Sequence, residues 1–158
     1  MDKIKIERNS FGDSRTAKAI PTITQFVDAN RKHRQDVENM MKNIADDVRK
    51  RGCDHDWTKS MEPYKSIFYR DLCGVLEGKM KFEDGKWAEY HYKTERHHLL
   101  KNCPEDVNLI DVVEMICDCV CAGLARSGKF RELEIDDDIL RRAVQNTVQM
   151  CIDSVELV

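Results

Sequence analysis

Apolar residues recur at three- and four-residue steps in four stretches of this chain, and proline, glycine or polar segments bound each one. The first series, between Pro21 and Gly52, is Ile23, Phe26, Val27, Val37, Met40, Met41, Ile44 and Val48. The second runs from Glu62-Pro63 to Gly78 through Tyr64, Ile67, Phe68, Leu72, Val75 and Leu76. Leu109, Val112, Val113, Ile116, Val120 and Leu124 form the third, ending at Gly128; the fourth, from Asp136 to Glu156, holds Ile139, Leu140, Ala143, Val144, Val148, Cys151, Ile152 and Val155. This period belongs to one face of an α-helix, whereas a strand alternates every second residue. Proline near the start and glycine past the end are the expected helix boundaries. With a shorter helical segment over 87–98, the pattern predicts an all-α fold, a compact bundle of about five helices. Residues 1–20 read as a short irregular N-terminal arm, and 21–158 as a single helical domain.

The chain has 158 residues, 41% of them hydrophobic, enough for one core and no more. A net charge of -3 and a pI near 6.0 leave no basic footprint for general nucleic-acid binding. No apolar run approaches the roughly 18 residues of a membrane span. The N-terminus alternates charge with isoleucine and lacks the apolar stretch of a signal peptide, so a cytoplasmic protein is expected. Its seven cysteines are odd in number and carry no Cys-x-x-Cys pair, which argues against a disulfide framework and a zinc knuckle. Most are predicted to be reduced, buried thiols. In the arm, Ile4 and Ile6 suggest an extended piece and residues 9–15 a turn; the arm is either ordered or mobile.

The chemistry centres on Cys53-Asp-His-Asp-Trp-Thr-Lys59. His55 and Asp56 offer a nitrogen and an oxygen ligand side by side, and Lys59 can neutralise an anion bound to the same cation. Alternatively, Asp54 or Asp56 simply caps a helix. The other histidines bear on the choice. His33 lies four residues before Val37 and is predicted to face inward, but a ligand role requires the chain to turn back between it and His55, at residues 43–47. His91, Glu95 and His98 share a helical face if the helix persists that far, and His97 joins them only if it has ended. Asp111, Glu114 and Asp118 form an acidic row that is either a solvated edge or a buried set needing cations; the apolar neighbours of Asp118 favour the second. Imidazoles with carboxylates suit manganese, iron, cobalt, nickel or zinc better than magnesium.

The order His33, His55-Asp56, Lys59, His91, His97-His98, Asp118 resembles the HD superfamily of metal-dependent phosphohydrolases, all-helical domains named for adjacent His-Asp ligands. The His-Asp-x-Thr-Lys form with a later His and then a His-His pair is closest to its branch with two or more metals. Glu95-Arg-His-His98 followed by Leu109-Ile-Asp-Val-Val-Glu-Met-Ile-Cys-Asp118 is similar to an uncharacterised family carried by bacteriophages and prophages, over about residues 20–148. The resemblance implies an HD-domain-like core and one or two divalent transition-metal ions. His55, Asp56 and Asp118 would hold the first ion, with Asp56 able to bridge to a second held by His91 with His97 or His98, and His33 matches the superfamily's first histidine. Lys59 would contact a phosphate or the attacking hydroxide, with Arg96 and Arg15 as further anion contacts. Glu114 would be either an acceptor that orients an imidazole or a general base. The implied activity is hydrolysis of a nucleotide or nucleotide-derived phosphoester by metal-activated water, in the host cytoplasm if the gene is phage-borne, with a homo-oligomer possible. The competing readings are a helical phage accessory or interaction protein with a structural metal, and one with no metal at all.

Overall fold

The computed structural model describes residues 3–130 and 132–158. Helices take up 64% of the chain, and two three-residue strands make its one small sheet among the described residues, so the class is all-α. The five α-helices among these residues are α1 (Ile23–Asp54), α2 (Tyr64–Leu76), α3 (Lys86–Thr94), α4 (Leu109–Ser127) and α5 (Asp137–Asp153). None is long and apolar enough to cross a membrane. The chain groups into two units, one made of the segment up to Asp47 with Val148–Val158, the other of Val48–Thr147.

In the first unit residues 3–20 of the arm are ordered. Strand β1 (Ile4–Ile6) pairs in parallel with β2 (Val155–Leu157), Ile4 opposite Val155 and Ile6 opposite Leu157. A 3-10 turn at Ser10–Gly12 follows, with the Asn9 side chain accepting from the Phe11 N–H. A Cβ on Gly12 would stand 3.3 Å from that of Ala29, so glycine permits this approach. The predicted last helix is shorter than expected at its end. Val155-Glu-Leu157 alternates in the strand period, and the β-branched valine suits the ladder it joins.

The second unit is built on α4. Asn108 and Asp111 form a reciprocal capping box at its start, and Gly128 closes it in the left-handed conformation with φ 65°. Val112 and Met115 pack with Leu99, Val107 and Ala143 in the core. Much of the expected apolar stripe is turned outward, however, with Leu109, Val113, Ile116 and Leu124 exposed. The inward face of α4 carries Asp111 and Glu114 instead, because cations and imidazoles wait there to receive them. The cysteines depart from expectation too: all seven are free thiols, but Cys53, Cys117 and Cys121 are exposed and the other four are half-buried.

Helix α3 is held to α2 through Asp71. This buried carboxylate accepts from the Trp87 N–H at 2.9 Å, satisfying a first-turn donor that Gly85 has no side chain to cap. Phe68 packs on Trp87 with ring centroids 4.1 Å apart, and Trp87 stacks on His91 at 4.2 Å. The orientation of one candidate ligand is thus set by the packing of two helices.

Candidate metal centre

Helix α1 runs through Gly52 to Asp54, two residues beyond the expected stop. What ends it is Asp56, whose φ of 54° and ψ of 32° lie in the left-handed region; it is the one non-glycine residue with positive φ among those described. Aspartate tolerates this conformation better than most residues, at a cost of about 1–2 kcal/mol. The bend sends the backbone into a 3-10 turn, Trp57–Lys59, and returns the Lys59 ammonium onto the Asp56 carboxylate. Asp56 makes no side-chain capping bond, so the bland reading of this aspartate as a helix cap does not describe it.

Three other segments bring their side chains to the same place. His91 comes from the last turn of α3, and His97 and His98 follow it where the backbone has become extended at Glu95. The helix therefore ends at Thr94, short of the helical face predicted for His98, and this ending is what lets both adjacent imidazoles turn inward. Asp118 comes from α4. Nε2 of His91 stands 3.3 Å from Asp56 Oδ1, and Nε2 of His97 stands 3.7 Å from the same oxygen. Nε2 of His55 stands 3.3 Å from Asp56 Oδ2 and 3.5 Å from Asp118 Oδ1. His98 meets His91 at 2.7 Å, Nε2 to Nε2. Two overlapping donor groups result, Asp56 with His91, His97 and His98, and His55 with His97 and Asp118, the atoms of each lying within 4.8 Å of one another. Asp56 presents one oxygen to each side. Such a buried histidine and aspartate cluster can hold a metal ion.

Hydrogen bonding fixes which nitrogens are bare. Glu95 Oε1 accepts from both the Thr58 N–H, at 3.1 Å, and the Thr58 hydroxyl, at 2.8 Å. That hydroxyl has one hydrogen, so its 2.8 Å contact with His91 Nδ1 needs the ring to donate, leaving Nε2 as a lone pair. Glu114 Oε1 plays the same part for His55, accepting from Nδ1 at 3.0 Å and leaving its Nε2 bare. His97 is 1% exposed, and neither of its ring nitrogens has a hydrogen-bond partner, although Nδ1 lies 3.1 Å from Glu114 Oε1; Asp56 Oδ1 is likewise buried without one. Buried polar atoms without partners are rare and costly, and here they face one another. The donor set fits a cation.

The charges point the same way. Burial and the neighbouring His98 push His91 down to about 3, and burial with His97 pushes His98 down to about 4, so both rings are neutral and ligand-ready at neutral pH. Burial also opposes charging of His55, but its bond to Glu114 and the carboxylates of Asp56 and Asp118 outweigh it and raise that ring. Burial works against the charge on Asp56, yet the Lys59 ammonium holds the carboxyl below its ordinary range. Glu114 is lowered despite its burial, through the imidazoles of His97 and His55 and the Arg51 guanidinium.

A layer of ion pairs supports the cluster. Arg51 reaches Asp111 at 2.5 Å and Glu114 at 3.2 Å, and Arg96 grips both oxygens of Asp111 at 2.8 and 2.9 Å. Asp111 is fully buried. Asp111→Ala takes from Arg51 and Arg96 the buried carboxylate they share, leaving them Glu114 and Asp106, and removes half of the α4 capping box; a loss of about 3 kcal/mol is expected in urea unfolding. Thr58→Val removes the group that sets the His91 tautomer, and metal affinity is expected to fall by about 10–100-fold in chelator competition.

Three expected site residues stand elsewhere. The turn that a His33 ligand requires does not exist, because α1 is unbroken over 43–47, and His33 is exposed rather than facing inward. Arg15 belongs to the first unit and is bound to Asp13 through two nitrogens, at 2.6 Å for the closest contact. Arg96 is committed to Asp111 and to Asp106, at 2.9 Å, so it holds structure and not a phosphate. Of the two roles for Glu114, geometry favours the orienting acceptor, because Oε1 faces imidazoles and Oε2 faces Arg51. Arg51, Asp111 and Thr58 were not among the expected site residues, and their partners lie 33–63 residues away in sequence, a separation that carries no local signal.

A cavity of about 440 Å³ opens beside the cluster, with Lys59, His91, His98 and Asp118 in its lining. The model of a family of unknown function, DUF5662, matches residues 22–153. The chain belongs to that family. The match includes every residue of the cluster. No curated protein and no solved structure matches the chain.

Proposed function

We propose that this DUF5662 protein is a metal-dependent phosphohydrolase acting on a small phosphoester, with a nucleotide or nucleotide-derived substrate as the class that its likeness to the HD superfamily suggests. The observation that carries the reading is the set of bare, buried donor atoms around Asp56, which suits two transition-metal ions of the manganese to zinc series. His91 and His98 would hold one ion and His55 with Asp118 the other, with His97 available to either and Asp56 between them. Bound ions supply an acidified water near neutral pH and neutralise charge on the phosphoryl group.

The chain's own groups do the rest. Glu95 through Thr58, and Glu114 directly, keep the Nδ1 protons of His91 and His55 in place and their Nε2 atoms open. Lys59 stands at the cavity wall, paired with Asp56, where its charge favours an incoming phosphate oxygen. The HD likeness also suggests a cytoplasmic setting, in the host if the gene is phage-borne.

The test is turnover of a panel of phosphomonoesters and mono-, tri- and cyclic nucleotides by manganese-loaded protein. Release of phosphate or nucleoside that stops on chelation and returns with manganese supports the reading; a fully loaded protein inert on the whole panel points to a structural metal. Lys59→Ala is expected to retain its metal and lose about 100-fold in kcat, because it removes charge stabilisation and no ligand.

A further inference from the structure

The aromatic residues of the cavity have no part in the phosphate chemistry above. Phe68, Phe82, Trp87 and Tyr92 line the cavity, and three of these rings are packed against one another, with centroids 4.1 Å apart for Phe68 and Trp87 and 5.6 Å for Phe82 and Trp87. Rings fixed in this way offer a flat or edge-lined apolar surface at little entropic cost. Arg126 stands on the same cavity and also on a second one, of about 310 Å³, that continues past Asp118 along α4. It enters no hydrogen bond or ion pair among the described residues, whereas Arg51, Arg70, Arg96 and Arg142 all do. It is an arginine facing the cavity with its donors open.

We infer that Arg126 is a specificity-determining residue that receives a second anionic group of the substrate, whose flat, apolar middle lies against the aromatic wall while its phosphate is at the histidine and aspartate cluster. This deepens the phosphohydrolase reading and rests on it. Arg126 follows Asp118 by two turns of α4, about 12 Å along the axis, and long side chains lean toward the helix N-terminus. The guanidinium and the Asp118 carboxylate are therefore roughly 6–10 Å apart, the span of one ring between two anions. The substrate class is a phosphomonoester of a flat alcohol or phenol that carries a carboxylate or second phosphate at its far end. Arg96 and Arg15, the arginines expected from the sequence to bind anions, are both held by aspartates, and Arg126 takes that role.

Two probes separate the parts of this inference, phenyl phosphate and 4-carboxyphenyl phosphate, the second with its carboxylate across the ring from the phosphate. Their binding to manganese-loaded protein is measured by calorimetry, with hydrolysis followed in parallel. The expected result is that 4-carboxyphenyl phosphate binds about tenfold more tightly, that Arg126→Ala abolishes the difference without weakening phenyl phosphate, and that Arg126→Lys restores part of it. If both probes bind and neither variant changes their ratio, Arg126 has no such role and the phosphohydrolase reading stands. If loaded protein binds neither probe, the phosphate site itself is absent and both fall. Unchanged helicity and metal content in Arg126→Ala, an exposed position, show that the effect is not one of folding.

Discussion

Asp56→Ala is expected to lose both its metal and its turnover, with retained metal falling by at least about 100-fold in affinity and kcat by about 1000-fold or more. Asp56 presents an oxygen to each of the two donor groups: Oδ1 faces His91 and His97, Oδ2 faces His55. Its loss also frees the Lys59 ammonium in the midst of the imidazoles. Elemental analysis of the purified variant beside the parent, with parallel activity, checks this, and a variant that keeps full activity contradicts the proposed mechanism. Asp56→Asn sharpens the result, because it preserves size and tests the charge alone.

Acid is expected to destabilise the metal-free protein well before ordinary carboxylates titrate. His91 and His98 are held neutral, at about 3 and about 4, whereas in the unfolded chain a histidine titrates near 6.5. Between those values the unfolded state binds more protons, so stability is fully present above about pH 6.5 and is lost as pH falls. At pH 5 the loss is about 2 kcal/mol for each ring before solvent screening reduces the share of the half-buried His98. His55 shifts the other way and offsets part of it, since a raised pKa adds stability on acidification. Urea midpoints of chelated protein at pH 7.5 and pH 5 measure the net effect, and an unchanged midpoint contradicts the burial of these rings. Added manganese is expected to raise the midpoint at pH 7.5 and to lose that effect toward pH 5, as protons compete for the same nitrogens.

The helices were legible because their signal is local. The series from Leu109 to Leu124 and the stop at Gly128 mark α4, and the buried reading of the acidic row holds for Asp111 and Glu114, but Leu109, Val113, Ile116 and Leu124 of the apolar series are exposed. Periodicity says where a face lies, and the partners decide what it must hold: Asp111 and Glu114 turn inward because Arg51, Arg96 and His55 are there, 15–63 residues away in sequence. His33 fails for a complementary reason. It is exposed, not inward-facing, and nothing breaks α1 between 43 and 47 to turn the chain back.

The grouping of His55-Asp56, His91, His97-His98 and Asp118 was suggested by family resemblance rather than by spacing. One helical face could not have delivered it, since His97 and His98 both reach the cluster only after α3 has ended. Thr58 and Glu95 carry a further lesson. The sequence sets Thr58 within the His-Asp-x-Thr-Lys form and Glu95 on a face with His91, but their role in fixing the His91 tautomer comes from encounters across 33 and 37 residues.

Metal content of protein purified without a histidine tag tests the centre most directly. One or two equivalents of a transition metal, roughly, lost in Asp56→Ala and regained by the parent after chelation and reloading, is the result expected of these bare imidazoles and carboxylates. Less than about a tenth of an equivalent, with none taken up on addition of manganese, iron, cobalt, nickel or zinc, would contradict it.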